Sequence, residues 1–204
     1  EEREGCPSPE EFYHRYVYAH KPVILRGCAR GQPSVKLWTD EYLRRTGKGW
    51  RPIQEMNKVV KRNDRMPHYM LPFEEFIDTY RNETRYMINK VDHEPLRKDI
   101  LLPKVLNCRR TLGSLEAPIV WMSSGGTKSS NHFDTGDNLL FMAGGSKEVV
   151  MVDPVHSRFL YMDHHDKFGL SPVHVEHVDL SVFPRIREVP IVTATIGPGD
   201  MLFL

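Results

Sequence analysis

The stretch Trp121-Met-Ser-Ser-Gly-Gly-Thr-Lys-Ser-Ser-Asn-His-Phe-Asp-Thr135 decides the reading of this 204-residue chain. Its informative pair is His132 and Asp134. Side chains alternate along an extended chain, so in a strand over 130–134 these two positions face the same side and can grip one cation together. One imidazole and one carboxylate are two of the three ligands in the 2-His-1-carboxylate arrangement, which holds Fe(II) while leaving coordination positions open. The spacing alone is common. With ten histidines in the chain, a His-x-Asp triplet is expected by chance about 0.6 times, and three are present. The others are His164/Asp166, in the charged run Asp163-His-His-Asp-Lys167, and His177/Asp179, in His174-Val-Glu-His-Val-Asp-Leu180. Context selects the first: His132 follows a Gly/Ser-rich turn and precedes the apolar run Leu139-Leu-Phe-Met-Ala143, whereas exposed polar residues are the ordinary reading of the other two.

Outward from this stretch the chain has two characters. From Arg85 onward it reads as β, with strands expected at 85–91, 117–123, 130–134, 138–143, 147–152, 158–162, 191–196 and 200–204. Turn signals such as Gly144-Gly145, Asp153-Pro154 and Gly197-Pro-Gly-Asp200 separate them. Many short strands between Gly/Pro turns imply a sandwich or barrel whose edges are closed or covered. Before Arg85 the chain is more helical. Residues 1 to about 20 read as a helix, with Ser8 as cap and Pro9 at its first position. Lys21–Gly27 reads as a short buried strand, Thr39–Gly47 and Leu71–Tyr80 as capped helices, and Val59–Arg65 as a hairpin or exposed loop. The expected organisation is a helical and mixed region over 1–84 packing on a β core over 85–204.

Composition narrows the class. With 40% hydrophobic and 27% charged residues, the chain is long enough to bury a real core as one domain or one domain with an extension. A formal net charge of +1 gives no DNA-binding signal and no pull toward an anionic membrane, and no apolar run is long enough to span one. The acidic start Glu1-Glu-Arg-Glu4 is unlike a signal peptide. Cys6, Cys28 and Cys108 lack Cys-x-x-Cys spacing, which argues against a structural zinc site or a disulfide framework and leaves room for a single bridge. The sequon Asn82-Glu-Thr84 would matter only in a secretory compartment.

Taken in order, Lys21-Pro-Val-Ile-Leu-Arg-Gly27, Trp38, Tyr86, Trp121, Gly125-Gly-Thr-Lys-Ser-Ser-Asn-His-Phe-Asp134, Asn138, Gly145-Ser-Lys147, Asp153-Pro154, Val178-Asp-Leu-Ser-Val-Phe-Pro184 and Gly197-Pro-Gly-Asp-Met-Leu-Phe-Leu204 resemble the JmjC-type cupins. The likeness covers nearly the whole chain and is to the small hydroxylase branch rather than to the large multidomain histone demethylases. It implies a mainly β fold with N-terminal helices, the double-stranded β-helix of cupins and jelly rolls, incomplete at the C-terminus. It also implies Fe(II)- and 2-oxoglutarate-dependent dioxygenase chemistry that consumes O2.

Residue by residue, His132 and Asp134 match the first two iron ligands. Lys147 matches the basic residue that pairs with the distal carboxylate of 2-oxoglutarate, where a buried dianion needs a charge-assisted partner. Ser129 and Tyr86 fall where the family places hydroxyls near that carboxylate, and Asn138 matches an Asn near co-substrate and metal. Without the resemblance, Lys147 reads as a solvated surface residue, Ser129 as a turn residue, Tyr86 as a buried strand aromatic and Asn138 as a hairpin residue. The resemblance gives Trp121 a role in the wall and Asp179 one in a loop or cap. No histidine follows His177, so the resemblance places the distal His ligand beyond Leu204 in a longer protein and makes these 204 residues inactive alone. A form lacking that ligand altogether would be a pseudoenzyme. The expected function of the full-length protein is hydroxylation of a protein or peptide substrate. The alternatives are N-methyl-lysine demethylation and a non-catalytic cupin that binds a protein partner or a small carboxylate.

Overall fold

Two uninterrupted apolar runs, Val23-Ile-Leu25 and Met201-Leu-Phe203, lie side by side as antiparallel strands with Leu25 opposite Met201 and Val23 opposite Phe203. A strand that is apolar at consecutive positions is buried on both faces, and these two form the centre of the molecule. The computed structural model describes residues 1–56, 60–61, 68–162, 169–174 and 176–204. Among them the strands are β1 (Glu2–Glu4), β2 (Val23–Arg26), β3 (Ile53–Met56), β4 (Val60–Lys61), β5 (His68–Met70), β6 (Arg85–Lys90), β7 (Ile119–Ser123), β8 (Lys128–Ser129), β9 (Leu139–Phe141), β10 (Lys147–Val152), β11 (Ile191–Ile196) and β12 (Met201–Phe203). They build two four-stranded sheets, ordered β1-β2-β12-β9 and β5-β3-β6-β7, and two pairs, β10-β11 and β4-β8.

Alternation along β2 and β12 sorts the core into layers. Val23, Leu25, Met201 and Phe203 pack against Phe12, Tyr16, Ala29 and Val105 on one side. On the other, Ile24 and Leu202 meet Ala194 and Ile196, with Leu140, Val149 and Met151 joining them. The helical segment Pro9–Val17 thus covers one face of this sheet and the β10-β11 pair covers the other. In the second sheet Met87, Val120 and Met122 face a layer containing Trp50, Phe73, Phe76, Tyr80 and Leu96. Alternation turns Tyr86, Trp121 and Ser123 to the opposite face, where Tyr86 stands opposite Ser123 and Ile88 opposite Trp121. The result is the mainly β, helix-flanked architecture of the jelly-roll class expected from the sequence. Residues 1–84 contribute strands to both four-stranded sheets. Among the described residues, no helix is long and apolar enough to cross a membrane.

Several sequence expectations are corrected. The first helix does not begin at residue 1: Glu2–Glu4 pairs in parallel with β2, and Gly5, at φ +72°, turns the chain before the helix starts at Pro9. Ser8 Oγ caps it, accepting from Glu11 N at 3.1 Å. The strand expected at 158–162 is instead the end of a 3-10 helix, Pro154–Leu160, closed by Tyr161 in the left-handed region. Asp153 Oδ1 accepts from Val155 N at 2.9 Å, so a cap followed by Pro outweighs the β preference of Phe159 and Tyr161. Strands β3 and β5 were not expected, because β3 hides polar residues: Gln54 and Glu55 are both buried. Apart from Val60–Lys61, the 59–65 segment lies outside the described residues, as does the His164/Asp166 pair. Of the three cysteines, Cys6 and Cys28 form a disulfide and Cys108 is a free thiol.

The turn before β12 is fixed by Asp200. Its Oδ1 accepts from Gly27 N at 2.9 Å, and its Oδ2 accepts from Arg26 Nη1 at 2.7 Å and from Gly197 N at 3.1 Å. Gly199 has φ +88°, and a Cβ there would collide with the Arg30 side chain. Burial opposes the charge on Asp200, but the Gly27 amide, the Arg26 guanidinium and the Gly197 amide overcome it and hold the carboxyl below its ordinary 3.8. A depressed carboxyl stabilises the fold above its unfolded pKa, and that stability is lost as pH falls through the folded value. Asp200→Asn is therefore expected to cost about 1.5–3 kcal/mol at neutral pH and to flatten the loss of stability between about pH 4 and 2. Urea melts of both proteins across that range check it.

Candidate metal centre

His132 and Asp134 do not sit on the regular strand that their spacing suggested. Among the described residues, only an isolated bridge, His132 to Leu170, marks extended pairing there. The chain leaves β7 through Gly125 and Gly126, both at positive φ, passes through β8 and is then held by the 169–176 segment. Ser171 N donates to Asn131 O at 2.8 Å, Lys128 pairs with Glu176, and the Phe133 ring lies against Gly169, where a side chain would clash with it. Backbone pairing with a distant segment thus does the work that a ladder was expected to do.

The two ligand-type side chains nevertheless converge. His132 Nε2 lies 3.8 Å from Asp134 Oδ1. The other ring nitrogen, Nδ1, is 2.7 Å from the Ser130 carbonyl oxygen. A carbonyl can only accept, so Nδ1 carries the proton and Nε2 presents its lone pair on the side of Asp134. Asn138 Nδ2 donates to Asp134 Oδ2 at 3.0 Å, which occupies one carboxylate oxygen and leaves Oδ1 facing Nε2. Asn138 is itself fixed, its backbone N–H and carbonyl both bonding to Leu204 at 3.0 Å. One side chain is thus oriented by a carbonyl and the other by an amide, the kind of outer partner that orients metal-ligand side chains. Among the described residues, no third His, Cys, Asp or Glu joins the two.

An Asn138→Ala substitution leaves the backbone pairing with Leu204 in place but frees the carboxylate. It is expected to weaken Fe(II) binding by about 10- to 100-fold while the thermal midpoint changes little. Calorimetric titration with Fe(II) under anaerobic conditions, beside a melt, separates the two effects.

The remaining candidates lie on the walls. Lys147 opens β10 opposite Ile196 and alternates with Val149 and Met151, so it shares the face of the pair that packs toward Leu140 and Leu202. Asn138 shares the corresponding face of the first sheet, one alternation from Leu140. Lys147 is solvent-accessible, yet desolvation lowers its pKa below that of an ordinary lysine. No described carboxylate pairs with it. Tyr86 lies between Glu55 and Ser123 in the second sheet. Burial, with the Glu55 charge adding to it, raises the pKa of its phenol well above the usual value, so the hydroxyl stays protonated and able to donate. Ser129 is exposed on β8, whose pairing with β4 is parallel. Asp179 accepts from Ser181 N and Oγ at 2.9 and 2.6 Å, and Trp38 Nε1 donates to Asp99 at 2.9 Å; neither belongs to the His132 cluster. Sequence reasoning did not find the Ser130 carbonyl or the Leu170–Ser171 clasp. Both act through the backbone, which leaves no signal in residue type.

Comparison with known proteins covers nearly the whole chain. The model of the cupin-like domain matches residues 9–204. The chain is 28% identical over 208 residues to lysine-specific demethylase 8 of Xenopus tropicalis, covering 98% of this chain and 46% of that protein. It is 29% identical over 215 residues to the protein of the same name from Danio rerio, covering 98% and 52%. To Jumonji C domain-containing protein 5 of Drosophila melanogaster it is 24% identical over 216 residues, covering 98% and 53%. The chain spans about half the length of these curated relatives.

Proposed function

The chain belongs to the cupin-like domain family, with JmjC proteins among its relatives, and from that premise we propose that the full-length protein is an Fe(II)- and 2-oxoglutarate-dependent protein hydroxylase. The observation that carries this reading is the convergence of His132 Nε2 and Asp134 Oδ1, each freed toward the other because its partner atom is bonded elsewhere. An imidazole nitrogen and a carboxylate oxygen suit Fe(II), and a third donor from outside the described set completes the facial triad. When bound, Fe(II) with 2-oxoglutarate supplies the O2-dependent oxidation of an unactivated C–H bond.

The chain's own residues hold and orient. The Ser130 carbonyl keeps the proton on His132 Nδ1, and the Asn138 amide stops Asp134 from rotating away. Lys147 offers an ammonium to the distal carboxylate of 2-oxoglutarate; its desolvation raises the value of a counter-charge there. Tyr86 and Ser129 offer hydroxyl donors to the same carboxylate. Trp121 contributes apolar wall. The substrate is a protein or peptide.

Demethylation of N-methyl-lysine is the second reading, favoured by the names of the Xenopus and Danio relatives. One experiment separates them. The full-length protein is incubated with Fe(II), 2-oxoglutarate, ascorbate and a library of unmodified and N-methyl-lysine peptides, and succinate and peptide masses are followed. Gain of one oxygen by an unmodified peptide is the expected result. Loss of a methyl group with release of formaldehyde selects demethylation. Failure to bind either Fe(II) or 2-oxoglutarate overturns both and leaves a non-catalytic cupin.

A further inference from the structure

Two features play no part in the proposed chemistry: the Cys6–Cys28 disulfide and the triplet Asn82-Glu-Thr84. Cys6 is exposed and Cys28 half-buried, so their bond is open to exchange with solvent thiols. An accessible disulfide of this kind is reduced in the cytosol and persists in an oxidising compartment. The triplet stands apart from it. Asn82, Glu83 and Thr84 are all exposed in the turn that joins the helix Phe73–Thr79 to β6. The Asn82 backbone is anchored, its N–H donating to Thr79 O at 2.9 Å, while its side-chain amide makes no hydrogen bond among the described residues. A bulky substituent on that amide displaces no packed group.

We propose that Asn82 is an N-glycosylation site on a chain that matures in the lumen of the secretory pathway. The two observations are independent and require the same compartment. There, Cys6 and Cys28 give up two protons and two electrons to an oxidised dithiol oxidoreductase, so that one S–S bond forms in the protein and one is reduced in the oxidant. The Asn82 amide nitrogen displaces the diphosphate of a lipid-linked oligosaccharide. A C–N glycosidic bond forms, the sugar–phosphate bond breaks, and the amide proton and the lipid diphosphate leave.

The test uses the full-length protein, expressed from its own coding sequence in a eukaryotic host and analysed by mass spectrometry without reductant. Digestion with peptide N-glycosidase is expected to lower the mass by one oligosaccharide. Asn82→Gln and Thr84→Ala are both expected to abolish that shift, two variants guarding against misfolding of either. A linked Cys6–Cys28 peptide is expected, with Cys108 alkylated as the internal free-thiol control. A glycosidase-insensitive wild type overturns the proposal whatever the state of the cysteines. So does a protein in which Cys6 and Cys28 are alkylated as readily as Cys108.

Discussion

Asp134→Ala in the full-length protein is expected to abolish Fe(II)-dependent turnover of 2-oxoglutarate at every co-substrate concentration, whereas Lys147→Ala is expected to weaken 2-oxoglutarate binding and be partly rescued by excess. The difference follows from where the two side chains act. Asp134 supplies one of only two ligand-type atoms that the described residues bring together, Oδ1 beside His132 Nε2, and no other described His, Cys, Asp or Glu joins them to replace it. In the proposed site Lys147 supplies a charge to the far end of the co-substrate. A charge-assisted contact contributes about 1.5–3 kcal/mol, which is roughly a ten- to hundredfold change in affinity. The lysine's depressed pKa adds a signature: its ammonium loses the proton at lower pH than an ordinary lysine, so affinity for the dianion falls early as pH rises. Lys147→Arg removes that fall, because a guanidinium stays charged. Succinate release measured against 2-oxoglutarate concentration at several pH values reads all three variants. Full rescue of Asp134→Ala by excess co-substrate would sink the ligand assignment.

The second large effect is on stability. Leu202 is fully buried in β12, where it joins the first sheet to the β10-β11 pair through Ile24, Ala194 and Ile196. Its neighbours Met201 and Phe203 are held from the other side by Phe12 and Tyr16, so the site cannot collapse without moving a central strand. Leu202→Ala is expected to cost about 2–5 kcal/mol. Val155→Ala, at a position 71% exposed, should stay within about 0.5 kcal/mol. Urea unfolding should show the midpoint shift for Leu202→Ala with an unchanged slope.

What the sequence disclosed and what it hid divide along physical lines. Val23-Ile-Leu25 and Met201-Leu-Phe203 announce doubly buried strands because every side chain is apolar, and β10 and β11 lie where their β-branched runs put them. Gln54 and Glu55 sit in an equally buried strand, yet hydrophobicity gives no sign of it; Gln54 Nε2 finds its partner only once Leu71 is in place, donating to Leu71 O at 3.0 Å, while Gln54 Oε1 is buried with no hydrogen-bond partner among the described residues. Residues 158–162 misled for the opposite reason, since a short-range cap at Asp153 overrode a genuine β preference. In the candidate centre, the spacing together with the preceding Gly/Ser turn and the following apolar run singles out His132 and Asp134, and the family likeness supplies Asn138. The Ser130 carbonyl and the Asn131–Ser171 bond could not be read, because any residue type supplies a backbone carbonyl or amide.

The adjacency of β2 and β12 has a consequence for how the molecule is made. Arg26 and Asp200, bonded at the junction of these strands, are 174 residues apart in the chain. At a synthesis rate of about 5–20 residues per second, β2 waits roughly ten to thirty-five seconds on the ribosome before its partner emerges. During that time an apolar edge faces water with its hydrogen-bonding groups unpaired, a template for wrong partners. The late arrival of β12 also makes closure of this sheet slow, since closing so long a loop must precede the contacts that reward it. The nascent chain therefore carries that open edge until β12 arrives. Its one early safeguard is covalent: Cys6 and Cys28 are only 22 residues apart and can lock the parallel β1-β2 pair in register long before the rest of the sheet exists.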